Sequence, residues 1–172
     1  MGPVILRREL PSDRAAVHEV HARAFARPDK DVAVEAVLAD ALRDDGDAVP
    51  QLCLVAEADG LVVGSVICSR AVLGDRASLG LGPVGVLPEH QGRGVGSALV
   101  HGALAAADAL DAPEMVLLGD PRFYRRFGFE LAVPIGVLPP EPAWEPYWQV
   151  RRLTSWDGAA GPFRYAPAFD LV

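Results

Sequence analysis

The sequence predicts a mixed α/β (α+β) fold. Three observations support this. Apolar runs of strand length alternate with stretches of helical periodicity between residues 4 and 133. Two of the strand runs, residues 52–57 and 61–70, are joined by Ala58-Asp59-Gly60, a hairpin signal. A further strand passes through a glycine-rich loop directly into a helix at Gly92-Arg93-Gly94-Val95-Gly96. The chain's 172 residues suit one domain and bury enough surface to need no metal or disulfide staple.

The elements follow in order. Val4-Ile5-Leu6-Arg7 is a short strand. After Pro11, Ser12 or Asp13 is placed to cap a helix whose apolar positions are Val17, Val20, Ala24 and Phe25. A second helix carries Val34, Val37, Leu38, Ala41 and Leu42, with Gly46 and Pro50 to end it. The hairpin comes next, then a strand over residues 79–87 interrupted by Gly82-Pro83. A proline that cannot donate to the ladder and an adjacent glycine predict a bulge that bends the strand away from a neighbour. Val95, Ala98, Leu99, Ala103, Ala106 and Leu110 form one helical stripe, which is core. Residues 115–118 are a fifth strand. Asp120 is then positioned as an N-cap with Pro121 at the first helical position, and Gly128 stops the short helix. Residues 129–133 begin another strand. From Gly136 on the chain is broken by prolines and holds all three tryptophans, Trp144, Trp148 and Trp156, with a strand expected at residues 147–153. Residues 1–172 therefore read as a single domain, with 136–172 as an ordered extension packed on it.

The glycine loop carries the chemistry. Gly92, Gly94 and Gly96 lack a Cβ, so an anion can approach the main-chain N–H groups where the helix begins. The positive end of the helix dipole favours a phosphate there, and Arg93 adds a fixed charge. The Walker pattern is absent, with Lys30 the sole lysine, and the dinucleotide spacing G-x-G-x-x-G is not matched. What stands in the sequence is Gln91-Gly92-Arg93-Gly94-Val95-Gly96, a Gln-x-x-Gly-x-Gly run. Downstream comes Pro121-Arg122-Phe123-Tyr124-Arg125-Arg126-Phe127-Gly128-Phe129.

These two motifs, in this order, resemble the GNAT superfamily, the CoA-dependent N-acyltransferases. The first resembles its acyl-CoA signature and the second its helix that carries a Tyr and closes with Gly-Phe. The resemblance implies a mostly antiparallel central sheet splayed between its fourth and fifth strands, with helices on both faces. It implies acetyl-CoA as cosubstrate and no metal. Gln91, Gly92, Arg93, Gly94, Val95, Gly96 and Ser97 would hold its pyrophosphate, and Val84, Gly85 and Val86 its pantetheine. Tyr124 would be the general acid for the departing thiolate. The activity implied is N-acetyl transfer to an amine by direct attack in a ternary complex. A catalytically silent acyl-CoA sensor is the alternative, and a nucleotide-binding domain of another fold a third.

The sequence departs from the family in two ways. Where the family often carries an Asn before the Tyr, this chain has Leu117. No carboxylate stands on the fourth strand, so the general base is open among Glu114, Asp120, Glu57 and His90. Phe123, Arg125 and Arg126 are further candidates to line the cofactor groove, and the tryptophan-rich extension one wall of an acceptor pocket, a plain hydrophobic lid or a dimer contact.

Composition narrows the partners. A net charge of −7 argues against nucleic acid, and no apolar run has the length of a membrane span. A small-molecule or protein amine is the expected acceptor, with a homodimer open. No signal peptide is visible, so the cytoplasm is the expected location. Cys53 and Cys68 fall in apolar runs and read as buried free thiols without metal-ligand spacing. His18 and His21, three apart on a helix, read as a surface pair.

Overall fold

The computed structural model describes residues 2–172. β1 (Val4–Arg8), β2 (Leu54–Ala58), β3 (Leu61–Leu73) and β4 (Arg76–Val86) form an antiparallel series in chain order. The turn between β2 and β3 places Asp59 at φ 51° and Gly60 at φ 79°, the pair of left-handed residues that a tight hairpin requires. β5 (Glu114–Leu118) lies parallel to β4. β6 (Glu130–Leu131) does not adjoin β5: β8 (Trp148–Arg152) is inserted antiparallel between them. β7 (Val137–Leu138) pairs with β9 (Gly161–Arg164), which also pairs with the end of β3. The strand expected at 147–153 is thus interior to the sheet, and β9 follows it.

Residues that alternate along each strand enter different cores, as a period-two element requires. Ala56, Val66 and Leu117 join Leu99, Val100 and Ala103 of α3 (Val95–Ala109). Their neighbours Val55 and Ile67 join Val17 of α1 (Arg14–Ala24) and Leu38 and Leu42 of α2 (Val34–Asp44) on the other face. Val116 joins Trp148, Val150 and Phe163, so the C-terminal segment covers the same face as α1 and α2. Helices therefore lie on both faces. The expected stripe of α3 is rotated slightly: Leu104 and Ala107 are buried, whereas Leu110, just past the last turn, is exposed.

The bulge falls where Gly82-Pro83 predicts it. Val66 stands opposite Val84 and Cys68 opposite Leu81, so Ile67 alone faces both Gly82 and Pro83. β4 and β5 register only at Gly80 and Val116. Beyond that point the two strands part, and the splay opens toward their C-terminal ends.

Two local expectations are corrected. Neither Ser12 nor Asp13 caps α1 with its side chain. The Asp13 carboxylate turns back instead, accepting from the Leu10 amide at 2.8 Å and from both terminal nitrogens of Arg7. The ionic partner outcompetes the helix amides, and the Arg7 guanidinium holds this carboxyl below its ordinary range. His21 is no surface residue: it is 0% exposed, while His18 reaches solvent and meets Asp40 at 2.7 Å. Cys53 and Cys68 are buried free thiols, and burial pushes both thiol pKa values up. Among the described residues no helix is long and apolar enough to cross a membrane.

Candidate active site

The β4–α3 connection is built from backbone. After Val86 the chain makes a short 3₁₀ turn, Pro88–His90. The Gln91 side-chain amide then donates to the Val86 carbonyl at 2.9 Å, tying the loop to the end of β4. Gly92 and Gly94 adopt φ of 71° and 83°, a region that glycine enters without strain. Gly94 is the N-cap of α3, so no side chain caps the helix, and no acidic residue sits in its first turn. The first-turn amides therefore receive no side-chain cap and no acidic partner from the first turn of α3 itself.

A cleft of about 420 Å³ joins this loop to the splay. Val84, Gly85 and Val86 of β4 line it, with Gln91, Gly92, Gly94, Val95, Gly96 and Ser97 of the loop and helix start. Arg93 lies outside its lining. Tyr124, on α4 (Pro121–Tyr124), stands in the same cleft with Phe123 and Arg126; Arg125 does not line it. Ala24 and Phe25, at the end of α1, complete the wall. Nothing in the sequence marks that pair, because their placement depends on how α1 packs across the sheet.

Several contacts orient Tyr124. Asp120 accepts from the Arg122 amide at 2.9 Å and starts α4 as its N-cap. The chain then tightens into a 3₁₀ turn, Arg125–Phe127, and stops at Gly128 with φ 83°. The Tyr124 ring meets Phe123 and Phe129 edge-on at centroid distances of 4.9 and 5.8 Å. Gly119 makes room for it, since a Cβ there would stand 2.5 Å from the ring. Burial pushes the phenol pKa up to about 12. The hydroxyl thus keeps its proton through the neutral range and can donate it.

Of the four base candidates only His90 lines the cleft, and its Nδ1 is buried without a hydrogen-bond partner. Glu114 sits at the start of β5, on the closed side of the Gly80–Val116 pair, where its carboxylate accepts from the Ser78 hydroxyl. Burial raises its pKa. Asp120 is held by its cap and by Arg122 at 2.8 Å, and Glu57 by Arg7 at 2.9 Å. Leu117 is buried in the α3-side core. His21 lies directly behind the cleft wall: a Cβ on Gly85 would come within 2.8 Å of its Nδ1. Its Nε2 approaches the Ser65 hydroxyl at 3.4 Å, and its Nδ1 has no partner. No group of His, Cys, Asp and Glu among the described residues could hold a metal ion.

A family model described as the acetyltransferase (GNAT) domain matches residues 50–131, the span from β2 through β6 that contains the loop and Tyr124. The chain belongs to this family of acyltransferases. It is 33% identical to the uncharacterized N-acetyltransferase YhbS of Escherichia coli, over 97% of this chain and 99% of that protein. A crystal structure of Escherichia coli YhbS in complex with CoA superimposes with a TM-score of 0.89, at 30% identity and covering 99% of this chain and 95% of that one. A GNAT family acetyltransferase from Brucella melitensis in complex with acetyl-CoA gives 0.81, at 34% identity and covering 98% and 99%. The splayed, mostly antiparallel sheet is the fold these proteins share.

Proposed function

We propose that this chain transfers an acetyl group from acetyl-CoA to an amine. The observation that carries the reading is that one cleft joins the uncapped start of α3, the splayed half of β4 and the Tyr124 phenol. The residues fit the cosubstrate. A diphosphate would take the amides from Gln91 to Ser97, and the pantetheine amides would pair with the main chain of Val84, Gly85 and Val86, which β5 does not engage. The CoA and acetyl-CoA complexes of the two structural relatives support this assignment.

Holding the thioester beside a bound amine makes the attack effectively intramolecular. The neutral amine forms the new N–C bond as the C–S bond breaks. The electron pair of that bond leaves on sulfur, and Tyr124 returns a proton to the thiolate. The amine proton leaves through water or His90, the one imidazole in the cleft lining. Cys53 and Cys68 are buried elsewhere, with raised pKa values, and do not suit a covalent acyl intermediate. A silent acyl-CoA sensor is the second reading, favoured by a cleft lining without a carboxylate.

The test is thiol release from acetyl-CoA across a panel of small amines, amino acids and peptides, with CoA affinity measured in parallel by calorimetry. Turnover with an amine class supports transfer. Tight CoA binding with no release from any amine supports the sensor, and no CoA binding removes both.

A further inference from the structure

We propose that Tyr165, carried by the C-terminal extension, is a specificity-determining residue that closes the acyl end of the β4–β5 splay and restricts the transferred group to a short chain. This inference rests on the transferase reading above. Tyr165 follows β9 on the face of the sheet shared with α1 and α2. Its ring lies over Gly80, where a Cβ would stand 2.9 Å from Cε1. Gly80 is the β4 residue that registers with Val116, after which the strands separate. The ring thus seats at the apex of the splay, and only a residue without a side chain at position 80 admits it.

The hydroxyl is sealed in with the ring, and burial pushes the phenol pKa up. A thioester whose sulfur is served by Tyr124 would put its acyl carbons at the inner end of the cleft, toward this ring. The ring is also stiffly held. It stacks on Phe169 at 4.0 Å and meets Phe163 and Trp148 edge-on at 5.0 and 5.8 Å. A wall packed in this way cannot yield to extra methylenes without off-rotamer strain, and one methylene more or less in an apolar pocket commonly changes selection by about 10- to 200-fold.

The experiment is calorimetric titration of the full chain with CoA, acetyl-CoA and butyryl-CoA. The wild-type protein is expected to bind acetyl-CoA at least about tenfold more tightly than butyryl-CoA. Tyr165→Ala should erase most of that ratio by gaining butyryl-CoA affinity. Tyr165→Leu, which keeps more of the packing, should erase part of it, and Tyr165→Phe, which keeps the ring, should preserve it. Near-ultraviolet circular dichroism checks that each variant is folded. A wild-type protein that takes butyryl-CoA as tightly as acetyl-CoA overturns the proposal without any variant. So does a folded Tyr165→Ala or Tyr165→Leu protein with the wild-type ratio. Failure of the wild type to bind CoA at all strikes the transferase reading itself, and the free-CoA titration separates that result from the others.

Discussion

Lowering the pH from 7 to 5 should cost the fold about 2 kcal/mol through one side chain, His21. Its imidazole is fully buried against Gly85 and Ser65, and burial pushes its pKa down to about 3, with Arg43 and His18 adding repulsion. In the unfolded chain the same group titrates near its ordinary value of about 6.5. Between those two values the unfolded state binds a proton that the native state refuses, so stability falls as the pH falls through that window. Each pH unit is worth about 1.4 kcal/mol, and pH 5 lies about 1.5 units below the unfolded value. Two other sets of groups must be kept apart from this effect. Asp13, Asp44, Asp108 and Asp120 have lowered pKa values, so their contributions are lost only in more acidic solution. Glu114, raised by burial, acts with the opposite sign and regains stability as it protonates. The assay is urea unfolding at pH 7 and pH 5 for wild type and His21→Leu, each also in a Glu114→Gln background. The His21→Leu protein starts from its own lower or higher baseline, and only its change with pH is compared. It should lose about 2 kcal/mol less than wild type over this interval. Equal losses in the two proteins would refute the assignment of a buried neutral imidazole.

The remaining expectations concern the site and its supports. Tyr124→Phe should retain CoA binding and lower turnover at least about tenfold, read by thiol release with the best amine; unchanged turnover removes the phenol from the mechanism. Gly94→Glu puts a side chain at φ 83° and a negative charge at the start of α3, and should abolish CoA binding by calorimetry. Gly85→Ala drives a Cβ to 2.8 Å from His21 Nδ1 and should cost about 1–3 kcal/mol in urea unfolding. Asp120→Ala removes the cap of α4 and should cost about 1 kcal/mol, with turnover falling further than CoA affinity because the helix that carries Tyr124 loses its anchor.

Much of the fold and of the cleft was legible in the sequence because the signals are local. Glycine and proline dictate backbone conformation at their own positions, so the hairpin at Asp59-Gly60, the bulge at Gly82-Pro83 and the stop at Gly128, after the 3₁₀ turn that follows α4, appear where the residues predict them. The loop from Gln91 to Ser97 likewise needs only its glycines and the helix after it. Arg93 belongs to the same loop and stands outside the lining of the cleft.

Sequence alone determined that a strand would pass through a glycine turn directly into a helix, since these depend on interactions a few residues apart. Tertiary structure decided which side chains face that turn and which are sealed away. His21 stands four residues after Val17, on the apolar face of α1, so pairing it with His18 as a surface residue overlooked the period; the packing of α1 on β3 and β4 buries it, while His18 keeps partial exposure. Periodicity could not place β8 between β5 and β6, or bring Tyr165 to Gly80 from 85 positions away in the chain. Strand order and face-to-face packing are set by the burial of apolar surface across the whole sheet, and that sum has no local signature.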